Sequence, residues 1–161
     1  MGWNILATIL PVLLAILLLS AGVEDVRRRE IANWKNAAIA LMAPLWWVAV
    51  GLHPWPGMVV LAIGAVVVFA LFCGAFALGQ MGGGDVKLIG ALALWLTPVS
   101  LLQTLIVMSL VGGALTLAFL VERWWRRDRA GSGAAVEIPY GVAIAVAGLL
   151  ALREPLVNQF T

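Results

Sequence analysis

Asp85 closes the run Gly82-Gly83-Gly84-Asp85 and opens Val86-Lys87-Leu88, between two hydrophobic stretches of a very apolar chain. A carboxylate is costly in such a setting, so it calls for a second acid able to share its task. Asp25 is the other acid that follows a membrane-length segment, in Glu24-Asp25-Val26-Arg27-Arg28-Arg29-Glu30-Ile31. Two carboxyl groups around one water can hydrolyse an amide. The ionised one takes a proton from the water as it attacks the carbonyl. The protonated one polarises the carbonyl oxygen, and a proton then reaches the leaving nitrogen. Close placement separates their proton affinities, because both cannot be charged at short range. No metal and no nucleophilic side chain takes part. The chain has one Cys, one His and no cluster with metal-ligand spacing, so neither metal nor cofactor is expected.

The glycines have a job in this scheme. Residues 82–84 can take positive φ and leave room for another backbone to approach closely. Asp85 then falls where an N-cap residue would open the next helix, whose N-terminus favours the ionised form. That gives a slight preference for Asp85 as the base, although coupled acids titrate as a pair. Other charged residues read as surface: Glu24, Glu30, Glu122 and Asp128 as solvated faces, and Arg27, Arg28 and Arg29 as anchors to lipid phosphate. His53 falls in a loop away from the acids, and Cys73 in mid-span, where packing is its expected role.

These acids must be positioned by membrane helices. The chain has 161 residues, 63% hydrophobic and 11% charged, with a mean hydropathy of +1.05. Soluble domains carry about 25% charged residues, so an all-α integral membrane protein is expected, a single polytopic domain over residues 1–161. Hydrophobic segments lie near 3–22, 37–51, 58–79, 86–96, 99–121 and 138–152. The first lacks a basic leading region and has full spanning length, so it reads as a retained helix. With the N-terminus outside, loops 23–36, 80–85 and 122–137 and their flanking turns face inward and hold nine of the ten Lys and Arg. Positive-inside bias thus favours a bundle of six transmembrane helices, both termini non-cytoplasmic, with both aspartates on the cytoplasmic side. The basic clusters, Arg27 to Lys35 and Arg123 to Arg129, fit membrane lipids as partners rather than nucleic acid. Trp3, Trp46, Trp47, Trp55 and Trp95 fall towards outer ends and Trp34, Trp124 and Trp125 towards inner ones, as interfacial belts would.

The segment 86–96 is short, rising only about 16 Å as a helix. Either the helix runs on through Pro98, or Asp85 sits below the surface in a protein-lined notch. The notch is preferred, because irregular glycine backbone at membrane depth is tolerated only there or beside a wet cavity.

These residues resemble a known family. Gly82-Gly83-Gly84-Asp85 matches the Gly-x-Gly-Asp motif of intramembrane aspartic proteases, and Asp85-Val86-Lys87-Leu88 resembles the form found in type IV prepilin peptidases. Asp25, followed by five residues, Ile31, one more residue and Asn33, resembles their first-aspartate segment. Ile138-Pro139-Tyr140-Gly141-Val142-Ala143 resembles their last-span motif. The resemblance implies Asp25 and Asp85 as the catalytic pair, with Gly82, Gly83, Gly84, Lys87, Pro139, Tyr140 and Gly141 in support. It implies removal of the basic leader from prepilin or pseudopilin precursors at the cytoplasmic face of a prokaryotic inner membrane. Two departures stand out. The family usually has proline where this chain has Ala32, which predicts a looser turn after Asp25. A segment with paired Cys-x-x-Cys motifs, linked in larger relatives to methylating the new N-terminus, has no counterpart in this sequence, so peptidase activity without methyltransferase activity is expected. The size suits the short enzymes of tight-adherence (Flp) pili. Two other readings remain: a small ion-translocating or scaffolding membrane protein, and an inactive family member that escorts pilins.

Overall fold

In lipid, every backbone N–H and C=O must bond within its own segment, so long apolar stretches fold as helices. A computed structural model of the chain describes residues 2–127 and 140–152 and is all-helical over them. Helix α1 is Gly2–Arg28, α2 is Asn33–Ala49, α3 is Val59–Ala77, α4 is Gly83–Ala93, α5 is Pro98–Arg127 and α6 is Tyr140–Ala151. Three apolar spans have the length to cross a membrane: Ile5–Arg28, Pro54–Ala77 and Pro98–Glu122. The others are shorter, with 17 residues in α2, 11 in α4 and 12 in α6.

The shortest helix stands at the centre. α4 packs against α2, α3 and α6, while α1 packs on α6 and α2, and α5 on α6. Every residue from Leu88 to Ala93 is buried. The long helices instead present Val66, Leu71, Leu110 and Leu117 outward. So large an exposed apolar surface suits a hydrocarbon solvent and no aqueous one. Small residues let the central helix approach its neighbours. A Cβ on Gly90 would lie 2.7 Å from the Phe69 ring, and one on Gly148 would lie 2.8 Å from Leu92.

Several boundaries differ from the sequence expectation. α4 runs from Gly83 to Ala93 rather than over 86–96, and as the preferred alternative requires it does not run through Pro98, which instead opens α5. Proline suits that first helical position because its missing N–H would have had no partner there. α1 continues to Arg28, so Asp25 belongs to its last turn rather than to a loop. Trp47 and Trp95 are buried and are not part of an interfacial belt. The Trp47 indole N–H donates to Leu94 O at 2.9 Å, and that of Trp95 donates to Ile39 O at 3.0 Å. Trp46 stacks obliquely on Trp95, with centroids 5.6 Å apart. These rings join α2 to the C-terminal end of α4. Trp34, Trp55, Trp124 and Trp125 are exposed, as a belt requires.

Candidate active site

Three helix ends meet around the two aspartates. Asp25 lies in the last turn of α1, Asp85 in the first turn of α4, and Gly141 in the first turn of α6. Both carboxyl groups are buried, with 5% of Asp25 and 7% of Asp85 exposed. They come close enough for the charge of Asp25 to act on Asp85, and the Gly82 N–H faces the Asp85 carboxyl from the helix start. One oxygen on each acid, Oδ2 of Asp25 and Oδ1 of Asp85, is buried with no hydrogen-bond partner among the described residues. Each is therefore an unmet acceptor that a water or a substrate group would satisfy.

The local chain explains how each acid is held. α1 ends where Arg29 takes a left-handed conformation, φ 57°, and its N–H donates to Asp25 O at 2.9 Å. This left-handed turn after the last helical residue caps the helix. It sends the chain back through Ile31 towards α2. The N–H groups of Gly141 and Val142 interact with the Asp25 carboxyl, although Oδ2 meets no donor with full hydrogen-bond geometry. Asp85 is not the N-cap expected from the sequence. Gly82 holds that position, with φ −71° and ψ 143°, and Asp85 is the third helical residue, reaching back to the Gly82 N–H. A carboxylate there satisfies one of the open donors of the helix start, as in the second half of a capping box.

Positive φ occurs at Gly51 and Gly79 and not at Gly82, Gly83 or Gly84, so the glycine run serves close approach alone. A Cβ on Gly84 would lie 3.3 Å from Ile31 Cβ and 3.4 Å from its backbone N. On the other side, Ile31 Cδ1 lies 2.9 Å from where a Gly141 Cβ would stand. Ile31 thus fills the space between the starts of α4 and α6, which a larger residue at either glycine would need. Tyr140 places its ring against Gly112 of α5. Lys87 is exposed and donates to Asn33 Oδ1 at 2.8 Å. Pro139 lies outside the described residues. No three His, Cys, Asp or Glu side chains among the described residues cluster as metal ligands would. His53 sits in the α2–α3 connection, at the end of α2 opposite Asn33.

A second polar cluster was missed in the sequence. Lys35 and Glu24 read there as a lipid contact and a solvated face. Lys35 is instead buried, and its Nζ lies 2.8 Å from Glu24 Oε2. The same ammonium donates to Ser20 Oγ at 2.6 Å and to Ser20 O at 3.2 Å. Glu24 also accepts the Ala32 N–H at 3.2 Å. The turn after Asp25 is therefore tied down rather than loose. Ala32 has φ −58°, which proline would also adopt, and it uses an N–H that proline lacks. Asn36, also overlooked, donates from Nδ2 to Gly84 O at 3.2 Å, joining α2 to the start of α4. The one available signal was spacing: Ser20 and Glu24 are four residues apart and share a face of α1.

A model of the type IV leader peptidase family matches residues 12–117, from mid-α1 through most of α5. The match includes both aspartates and the glycine run. Comparison with curated proteins and with solved structures gives no match.

Proposed function

The chain belongs to the type IV leader peptidase family, and from that premise we propose that it is an aspartic endopeptidase in which Asp25 and Asp85 activate one water. The observation that carries this reading is the meeting of two buried acids from separate helix ends, each with a buried oxygen that has no partner among the described residues. Two such carboxyl groups share one proton, and the N–H groups of Gly141 and Val142 that face Asp25 support giving it the role of charged base and giving Asp85 the proton. Asp25 takes a proton from water as the oxygen attacks the scissile carbonyl, while Asp85 donates a hydrogen bond to the carbonyl oxygen. Collapse of the tetrahedral adduct breaks the C–N bond. The nitrogen leaves with the proton from Asp25, giving one new carboxyl and one new amine.

The substrates on this reading are prepilin-like precursors with a basic leader ahead of a hydrophobic helix. Six helices would cross a prokaryotic inner membrane, with both termini outside and the aspartates at the cytoplasmic face. The shortness of α4 supports only the depth of the site, because an 11-residue helix rises about 16 Å, roughly half the hydrocarbon core. A precursor could then meet the acids where its leader joins its membrane helix.

The test is co-reconstitution with such a precursor, read by mass spectrometry of the new N-terminus. Asp25→Asn and Asp85→Asn should each abolish the shortened product while leaving the protein folded. Processing retained by either variant excludes the two-acid mechanism. Binding with no product from the parent protein indicates an inactive escort.

A further inference from the structure

On the far side of α4 from the acids lies an apolar groove of about 520 Å³ between α2, α3 and α4. Ala37, Ala40 and Ala65 line it with Val66 and Phe69, whose side chain lies over Gly90, and Leu94 marks one end. The alanines leave room for another helix to approach. The opposite end is polar, formed by Asn33, Asn36 and Lys87. Asn36 is only 5% exposed. The Gly84 carbonyl fixes its amide, since only the NH2 group can donate to that oxygen. Its Oδ1 is left buried with no hydrogen-bond partner. An unmet acceptor in this setting is costly, and an incoming donor would relieve the cost.

We propose that this groove seats the opening turns of the substrate's hydrophobic helix, with Asn36 Oδ1 accepting a backbone N–H at the helix start. The proposal rests on the leader-peptidase reading above and adds the place where the substrate lies. A helix start has four N–H groups with no partner in the helix, and in hydrocarbon they find none in solvent. A precursor cut just ahead of its membrane helix brings those donors to the start of α4, where Asn36 binds Gly84 O. The chain ahead of the helix then crosses the glycine start of α4, from Lys87 on one side to Asp85 on the other. Two residues of helix separate these by about 200°.

The experiment uses the full-length protein in phosphatidylethanolamine–phosphatidylglycerol vesicles. The probe is a precursor with a Lys/Arg leader and a hydrophobic helix. A photo-crosslinker replaces either Val66, on the rim of this groove, or Val146, in the separate groove between α1 and α6. The expected result is a precursor adduct at Val66 in excess of that at Val146. Asn36→Leu removes both the Oδ1 acceptor and the bond to Gly84 O, so it should raise KM by at least about tenfold and reduce the Val66 adduct in step. Equal or greater adduct at Val146, or lipid adducts alone at Val66 while the parent cleaves the precursor, overturn the groove and leave the peptidase reading intact. A parent that cleaves no precursor instead removes the reading on which the groove rests.

Discussion

Gly141 stands so close to Asp25 that a Cβ added to it would lie 2.8 Å from Oδ2 of the carboxyl. The same Cβ would lie 2.9 Å from Ile31 Cδ1, so the added methyl cannot move away from one without meeting the other. Gly141→Ala should therefore push the acid out of line, and cleavage should fall by about one to two orders of magnitude, because misplacement near 1 Å can cost about a hundredfold. Gly113→Ala is the control, since nothing lies within 4 Å of its Cβ. Equal activity in both variants would show that the packing at Gly141 does not hold Asp25 for catalysis.

Cleavage should depend on pH through the proton that the two acids share. Two carboxyl groups at short range cannot both be charged, so the working state holds one proton between Asp25 and Asp85. The profile of kcat/KM should therefore be bell-shaped, falling at low pH as both acids become neutral and falling again at high pH as the shared proton is stripped. Activity that keeps rising up to the alkaline limit of folding would exclude a working state with one neutral acid.

The buried Lys35–Glu24 pair should reveal itself through non-additivity. Removing one partner strands the other, and a stranded ammonium at 8% exposure has no water to replace the carboxylate. Glu24→Gln should lower the thermal midpoint in detergent more than the Glu24→Gln, Lys35→Met double variant does. Cleavage should follow the same order, because Glu24 adjoins Asp25 and ties the last turn of α1 to α2 through Lys35. A double variant that loses the sum of its singles would mean that the two side chains act independently.

The aspartates could be read because few explanations exist for an acid between apolar segments, and the glycine run narrowed them further. What sequence could not supply was the partner of each polar side chain. Lys35 belongs to a string of basic residues like those that meet lipid headgroups, and only the crossing of α1 and α2 turns it inward to Ser20 and Glu24. Trp47 and Trp95 sit near segment ends, as belt residues do. Their burial depends on α4 stopping level with them, which an 11-residue helix at the centre of the bundle brings about. Asn36 carries no local signal at all, since its role follows from a contact 48 residues away.

Ala32 tests how the turn after Asp25 is held. Its φ of −58° and ψ of 127° lie where proline is unstrained. The preceding residue must then avoid the helical region, and Ile31 lies outside any helix. Proline would restrict the unfolded chain and so stabilise the fold, by up to about 1 kcal/mol. It would also delete the N–H that donates to Glu24. That loss is small, because the bond is long at 3.2 Å and Glu24 keeps Lys35 at 2.8 Å. Ala32→Pro should therefore preserve cleavage and leave the thermal midpoint equal or higher, whereas Ala32→Gly, which frees the same backbone, should lower both. A proline variant that folds but no longer cleaves would mean that the Ala32–Glu24 bond, rather than the backbone angle, sets the position of Asp25.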